Sequence, residues 1–363
     1  MIPSIEDIKK ESSNILEGVP GSVFDGKTRI AIYGAGFLGR WSITWLQSKG
    51  ANLVSCFDGN PELAGKEESG LTISPPDDLY QVKPDFVFIT ARHAVAQVSK
   101  ILKEKEISYC SLDAFFVSSN LRDLLHIHES ILHDEQSKET LRSVLMALLT
   151  GNRIFCQHVY TPDQYFCLPM FFGTSNEIFV DAGAYTGDTV ERFIWANDGH
   201  FSKIFAFEPG LRQFSALQFR SKRLHSEWAL DESAIILERA GLAATQSFMC
   251  GDTQSGQLQS YSLEEGGNGT VKTYRLDEYL AGEQVTFIKV DVEGMEMGLL
   301  HGAVDTIRKW KPKIAISVYH YPSDILDVVN YLHDLVPEYI FSLRHHSARL
   351  NETILYCWDE KYI

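Results

Sequence analysis

The amino-acid sequence predicts an α/β protein with two Rossmann-like, doubly wound domains. The chain has 363 residues, and a single hydrophobic core usually stops growing at roughly 250 to 300 residues. In both halves, apolar runs of strand length alternate with helical patterns, which is typical of parallel sheets covered by helices. Two of these runs lead into glycine turns that open helices, Gly34-Ala-Gly-Phe-Leu-Gly and Asp181-Ala-Gly-Ala-Tyr-Thr-Gly. Each turn predicts a nucleotide pocket at the edge of its sheet.

Residues 1–117 are predicted to form the first domain. Ser4 and Asp7 have the spacing of a helix capping box, so an opening helix is expected after Ser4. Another helix is expected over about 94–105, and strands are expected at about 29–33, 52–58, 84–90 and 108–112. From Leu121 to Leu149 the apolar residues recur every three or four positions, so residues 118–164 are predicted to be a helical connector.

Residues 165–363 are predicted to form the second domain, around a sheet of seven strands. The last two strands are separated only by the polar stretch 344–352, so they should form a closing hairpin and make the sheet mixed. The seven strands are predicted at 178–181, 204–208, 234–238, 285–291, 313–320, 339–343 and 353–358.

Composition and charge exclude several classes of function. With 44% hydrophobic and 22% charged residues the chain has a globular composition. The 48 acidic and 33 basic residues give a net charge of −15, which repels phosphate backbones, so no nucleic-acid partner is expected. No apolar run approaches the roughly 18 residues of a transmembrane helix, and the N-terminus lacks the features of a signal peptide. We expect a cytoplasmic protein with reduced cysteines and no transmembrane segment.

The second glycine turn and the strand after it have the residues of a cofactor pocket. Gly183 and Gly187 permit a tight turn and leave backbone amides facing the crevice at the start of a helix. Asp181 either fixes that loop or reaches a ligand ammonium group. Glu208 ends the next strand, where an acid accepts hydrogen bonds from both ribose hydroxyls, and Pro209 stops the strand there. Alternatively, these acids only cap the helices that follow.

Several ordered motifs over about 165–357 closely resemble the FkbM family of methyltransferases. The signature run begins Lys289-Val-Asp-Val-Glu-Gly-Met-Glu, and the other motifs are Val180-Asp-Ala-Gly-Ala-Tyr-Thr-Gly-Asp-Thr, Phe207-Glu-Pro, Ser317-Val-Tyr-His and Glu352-Thr-Ile-Leu-Tyr. The resemblance implies a class I methyltransferase fold that uses S-adenosylmethionine, usually for O-methylation of sugars, glycolipids or polyketide-type natural products. It places Asp291 and Glu293 near the reacting end of the cofactor. The other contacts that it implies are Asp181, Gly183 and Gly187 around the methionine part and Glu208 at the ribose. The full predicted set of cofactor-binding residues also includes Tyr165, Ala184, Asp188, Pro209 and Asp291.

Three groups are candidates for the chemistry at the reacting end. His320 ends an apolar strand and is our candidate for the general base, because imidazole titrates near working pH. Alternatively, it is a hydrogen-bonded histidine at the end of that strand. Asp291 is the alternative base, or it binds a divalent metal together with Glu293. A metal is not favoured, since the spacing assigns no third ligand. Tyr165 precedes the first strand of this domain and either covers the cofactor or packs for stability alone.

The first glycine turn matches the dinucleotide fingerprint. Gly34, Gly36 and Gly39 follow a strand, and Asp58 stands where an acid binding the ribose is expected. Two further motifs are Phe57-Asp-Gly-Asn-Pro and Gly70-Leu-Thr-Ile-Ser-Pro. Through them this half resembles, over about 28–115, the Rossmann-type accessory domains of sugar-modifying enzymes. We therefore favour a nucleotide or nucleotide-sugar site here, with a nicotinamide cofactor or a purely structural module as the alternatives.

Taken together, the sequence predicts an S-adenosylmethionine-dependent O-methyltransferase. The acceptor is expected to be a hydroxyl of a sugar, nucleotide-sugar, glycan precursor, glycolipid or related natural product, and a homodimer is possible. The alternatives are a catalytically silent protein that binds nucleotide-sugars and an NAD-dependent oxidoreductase that uses the first domain.

Overall fold

A computed structural model describes residues 2–250, 264–265 and 271–362 of the chain. Within these residues the strands form three sheets, two of them large and mainly parallel. The fold is therefore the predicted Rossmann-like α/β class. None of the described helices is both long and apolar enough to span a lipid bilayer.

The first sheet has six strands in the order β3-β4-β2-β1-β5-β6. Its pairs are parallel except for β3 with β4. The four predicted strands are present, whereas β3 and β4 were not predicted. The strands are β1 (Arg29–Tyr33), β2 (Asn52–Phe57), β3 (Glu67–Glu68), β4 (Leu71–Ser74), β5 (Phe86–Ile89) and β6 (Ser108–Ser111).

Eight α-helices accompany the first sheet and the connector among the described residues. The predicted capping box is present, since the N–H of Asp7 donates to Ser4 Oγ at 3.1 Å and the N–H of Ser4 donates to Asp7 Oδ2 at 3.0 Å. The helices are α1 (Ile5–Gly18), α2 (Phe37–Ser48), α3 (Leu79–Val82), α4 (Val95–Glu104), α5 (Leu112–Ser119), α6 (Leu121–His126), α7 (Glu135–Thr150) and α8 (Ile154–His158). A π-helical turn, Ile127–Ile131, follows α6. The predicted boundary at residue 117 lies inside α5, and the division into domains remains a prediction.

The second sheet contains all seven predicted strands, in the order β16-β17-β15-β14-β7-β8-β9. The closing hairpin is confirmed, because β17 pairs antiparallel with both β15 and β16 and makes the sheet mixed. The largest error in a strand boundary is at β15, which ends at Ser317, so His320 lies in the loop beyond the strand. The strands are β7 (Ile178–Ala182), β8 (Lys203–Phe207), β9 (Ile235–Glu238), β14 (Phe287–Val290), β15 (Lys313–Ser317), β16 (Ile340–His345) and β17 (Thr353–Trp358).

A small sheet that was not predicted lies between β9 and β14 in the chain. Its order is β10-β13-β11-β12, from β10 (Gly241–Leu242), β11 (Ser247–Cys250), β12 (Glu264–Glu265) and β13 (Val271–Tyr274). The remaining helices are α9 (Asp188–Ala196), α10 (Leu211–Glu227), α11 (Leu276–Leu280), α12 (Glu296–Gly302), α13 (Val304–Trp310) and α14 (Asp324–Leu335).

One buried apolar cluster connects the two large sheets through the helices between them. It contains Ile30 of β1, Leu141 of α7 and Ile288 of β14. A second cluster, rich in aromatic rings, packs on the opposite face of the second sheet around Phe179 and Phe287. Because buried apolar surface stabilises a fixed packing arrangement, the edges of the two sheets are held in one relative position. The described cysteine side chains are free thiols, and the side chain of Cys250 lies outside what the structure describes.

Candidate functional site

A cavity of 340 Å³ opens where β7, β8 and β14 end. In a parallel sheet the carboxyl ends of the strands meet at one edge, which is where such folds bind ligands. The cavity is open and is not filled by packed side chains. The predicted residues in its lining are Tyr165, Gly183, Asp188, Glu208, Pro209, Asp291 and Glu293. Asp181, Ala184 and Gly187 lie outside the lining. Asp181 lies on β7, and the other two lie in the turn that follows this strand.

The turn after β7 requires its glycines. Gly183 has φ +77, and a Cβ there would lie 1.8 Å from the carbonyl oxygen of Asp291. Gly187 has φ +82 and is the N-cap of α9, and a Cβ there would lie 2.7 Å from a methyl group of Leu217. Ala184 is buried, and its N–H donates to the carbonyl of Phe207 at 2.9 Å. The backbone therefore approaches the tip of β14 at Gly183, and α10 at Gly187, more closely than a side chain would allow.

Glu208 lies at the tip of β8 with 2% of its surface exposed. Its Oε2 accepts from the N–H of Tyr185 at 2.9 Å, and its Oε1 accepts from the N–H of Gly210 at 2.7 Å. Burial raises the pKa of Glu208 to about 7, although these two amides act in the opposite direction. Each carboxylate oxygen keeps a second lone pair for a ligand in the cavity.

Asp181 supports the turn through Lys289 and does not reach the cavity itself. The two side chains are fully buried and form an ion pair at 3.0 Å, from residues that lie in register on β7 and β14. Burial lowers the pKa of Lys289, but Asp181 and Asp291 raise it above its ordinary value, so the ammonium stays charged. Lys289 also donates to the carbonyls of Gly183 at 2.6 Å and Ala182 at 3.2 Å. Of the two roles considered for Asp181, this geometry supports fixing the loop.

The sequence analysis did not assign a role to Lys289, although this residue lines the cavity. The available signal was a charged residue inside the apolar strand 285–291. Such a residue must find a buried partner, because an isolated charge in the interior is very costly.

Asp291 lies at the tip of β14 and is held by two tyrosines. Its Oδ2 accepts from the hydroxyl of Tyr165 at 2.7 Å, and its Oδ1 accepts from the hydroxyl of Tyr319 at 3.3 Å. Tyr165 is itself positioned by its N–H, which donates to the hydroxyl of Tyr356 at 2.9 Å. Both oxygens of Asp291 are thus oriented at the edge of the cavity, and Tyr165 is a buried wall residue.

His320 is buried among three carboxylates. Its Nε2 lies 3.7 Å from Asp291 Oδ1 and 3.4 Å from Glu293 Oε2, and its Nδ1 lies 3.1 Å from Glu296 Oε1. Burial lowers the pKa of His320, but Glu296, Glu293 and Asp291 together raise it well above its ordinary value. The raised pKa favours the protonated imidazole, which cannot accept a further proton. We therefore propose the other candidate, Asp291, as the general base.

The same acids provide possible metal ligands that spacing alone did not identify. Asp291, Glu296 and His320 each offer a ligand atom, and these atoms lie within 4.8 Å of one another. One carboxylate oxygen from each acid and an imidazole nitrogen are suitable donors for a divalent cation. A proton on His320 satisfies the same carboxylates without a metal.

Comparison with known proteins identifies the second half of the chain. Residues 181–339 match the family model described as the methyltransferase FkbM domain. We refer to this matched region, residues 181–339, as the FkbM domain. The match confirms the predicted family and supports the predicted methyltransferase, and it contains Asp181, Glu208, Asp291 and His320.

Solved structures show how far the fold is shared. The FkbM methyltransferase from Methylobacillus flagellatus KT is 23% identical, with a TM-score of 0.61, and the alignment covers 98% of this chain and 99% of that chain. The shared fold therefore includes the first sheet as well as the FkbM domain. A putative rRNA methylase from Clostridium thermocellum, 10% identical, covers 55% of this chain and 97% of its own, with a TM-score of 0.37. A search of curated proteins found no match.

A second cavity, of 390 Å³, lies between the first sheet and the FkbM domain. All four residues of the predicted nucleotide site line it, namely Gly34, Gly36, Gly39 and Asp58. From the FkbM domain it receives Tyr319 and His320. Because Tyr319 also lines the first cavity, the two cavities share this residue as part of their walls, and this juxtaposition could not be deduced from the motifs alone.

Proposed function

We propose that the protein transfers a methyl group from S-adenosylmethionine to a hydroxyl of a sugar, glycan precursor or related small molecule. The observation that carries this proposal is Glu208, which faces an open cavity beside the close glycine turn at Gly183. An acid in this position suits the two ribose hydroxyls of an adenosyl ligand. The methionine part would lie toward Gly183 and Asp188, and the methyl group toward Asp291.

Methyl transfer from a sulfonium is an in-line displacement. The acceptor oxygen forms a bond to the methyl carbon while the bond from that carbon to sulfur breaks, and its electron pair stays on sulfur, which becomes neutral. The hydroxyl proton passes to a base, for which Asp291 is placed at the edge of the cavity. Tyr165 and Tyr319 hold its two oxygens in position, so the chain's contribution is alignment together with proton acceptance.

Replacement of Glu208 tests the cofactor site. Glu208→Ala should weaken binding of S-adenosylmethionine by about 10- to 100-fold, since hydrogen bonds to a charged group contribute about 1.5–3 kcal/mol. Isothermal titration calorimetry measures the effect. Glu238→Ala is the matched control, because Glu238 ends the neighbouring strand β9 and lies outside the lining of the cavity. Equal affinities in the wild-type protein and Glu208→Ala would contradict the proposed site.

The affinity for S-adenosylmethionine should also depend on pH. Burial raises the pKa of Glu208 to about 7, and the ribose hydroxyls donate to the ionised carboxylate. Protonation below that value therefore opposes binding, and the affinity at pH 6 should be about tenfold weaker than at pH 8, in proportion to the ionised fraction. Glu208→Gln should retain only the pH dependence that comes from the ligand. An identical pH profile in the two proteins would refute this role.

A further inference from the structure

The second cavity has an unusual lining for an acidic protein. The chain carries a net charge of −15, but Arg92, His93, Arg153 and Arg349 line this cavity, and Asp58 is the one acidic residue in its described lining. Arg92 already pairs with Asp113 at 2.7 Å. No ion pair of Arg153 or Arg349 is present in the described part of the chain. Two guanidinium groups are therefore available to an anionic ligand, and their fork of N–H groups suits phosphate oxygens.

The glycine turn of the first sheet adds backbone donors to the same cavity. Gly36 is the N-cap of α2, and no side chain caps this helix. The N–H groups of the first turn consequently lack partners within the helix and favour an anion. A Cβ on Gly39 would lie 1.8 Å from the carbonyl oxygen of Gly34. The helix can thus begin directly against the turn, which is the arrangement that brings a diphosphate close to the backbone.

Asp58 repeats the arrangement of Glu208. Its Oδ2 accepts from the N–H of Ala35 at 2.7 Å, and its Oδ1 accepts from the N–H of Asn60 at 2.8 Å. In both sheets an acid at the tip of the second strand binds an amide of the preceding glycine turn and retains lone pairs for a ligand. The second cavity therefore combines an acceptor for a vicinal diol with a cationic site for phosphates.

One wall of this cavity is shared with the cavity at the end of β14. Tyr319 lines both cavities, and its hydroxyl lies 3.3 Å from Asp291 Oδ1. Arg92 donates to the carbonyls of Tyr319 at 2.6 Å and His320 at 3.3 Å. Arg92, which follows β5, therefore anchors the segment Tyr319–His320 between the two cavities. A ligand that extends from α2 toward Tyr319 approaches Asp291.

We propose that the second cavity holds the nucleoside diphosphate of a nucleotide-linked sugar, whose sugar hydroxyl is the methyl acceptor. The ribose diol binds Asp58, the diphosphate binds the start of α2 with Arg153 and Arg349, and the sugar lies beside Tyr319. This inference rests on the proposed methyl transfer and names its substrate class. In this proposal the first sheet binds the acceptor substrate through its nucleoside diphosphate, which does not react.

Calorimetry on the full chain tests the binding site with uridine, guanosine, thymidine and cytidine diphosphates as probes. At least one of them should bind, and Arg153→Ala/Arg349→Ala should weaken that binding at least tenfold. The control Arg122→Ala/Arg308→Ala removes the same charge from exposed helix positions and should leave it within twofold. The affinity for S-adenosylmethionine should stay within twofold in all three proteins, which separates a local effect from misfolding.

The remaining measurements distinguish a nucleotide-sugar from other ligands that also contain a ribose and a diphosphate. The next assay uses a panel of nucleotide-sugars that contain the nucleoside diphosphate found to bind. Tritiated methyl groups from S-adenosylmethionine should appear in the sugar of at least one of them. If NAD⁺ binds and none of the nucleoside diphosphates does, the proposal is overturned in favour of a nicotinamide site. Binding of S-adenosylmethionine without binding of any diphosphate would overturn it while leaving the proposed function intact. Conversely, diphosphate binding in a wild-type protein that does not bind S-adenosylmethionine would refute the proposed function and, with it, the acceptor role.

Discussion

Lys289→Met is expected to lower the free energy of unfolding by about 3–5 kcal/mol, because it leaves a buried carboxylate without its partner. Asp181 is fully buried, and its ion pair is with Lys289 at 3.0 Å. The ammonium also donates to two carbonyls of the glycine turn. Chemical denaturation monitored by circular dichroism measures the change.

Two further variants isolate the cause of this loss. Lys203→Met is the matched control. Lys203 also lies on a strand of this sheet and pairs with Glu283 at 2.6 Å, but both side chains are about one-third exposed. Such a pair should contribute about 1 kcal/mol or less. Asp181→Leu/Lys289→Met removes both charges and should recover most of the lost stability, as apolar replacements of buried pairs often do. Similar losses for Lys289→Met and Lys203→Met would show that burial of the first pair has little effect.

The strands of the second sheet could be predicted because each is a local apolar run between turn residues. All seven were identified, and the closing hairpin followed from the short polar stretch between the last two. Their ends were less certain, since Ser317 and His320 belong to one run of residues but only the first remains paired in the sheet. Chain direction after a strand depends on tertiary contacts, and His320 lies among three acids from other segments of the chain.

The contacts that join distant segments could not be predicted in the same way. The pairing of Lys289 with Asp181 depends on the register between β14 and β7, which the apolar pattern does not specify at single charged positions. The small sheet was missed because its described strands are short, such as Gly241–Leu242, and carry little apolar periodicity. Arg92 reaches Tyr319 across more than half of the chain. The motifs thus located each cavity, but only the packed structure shows that the cavities share a wall residue, Tyr319.

Asp291→Asn is expected to reduce kcat for methyl transfer by about 10²- to 10⁴-fold, the usual contribution of general acid–base catalysis. The amide keeps nearly the same shape but loses the ability to take the hydroxyl proton. The affinity for S-adenosylmethionine should change less than threefold, because Glu208 and the glycine turn provide the other cofactor contacts. Single-turnover kinetics with a nucleotide-sugar that the wild-type protein methylates, combined with calorimetry, separates the two effects.

Two comparisons establish whether Asp291 acts as a base. Glu293→Gln should reduce kcat by less than tenfold, since Glu293 contacts His320 at 3.4 Å but has no tyrosine orienting it among the described residues. Wild-type activity should persist in EDTA. A loss in EDTA that Mg²⁺ restores would instead make Asp291 a metal ligand, together with Glu296 and His320, whose ligand atoms lie within 4.8 Å of one another. In that case a metal-bound hydroxyl would lose its proton more readily, and His320 would bind the cation in place of a proton.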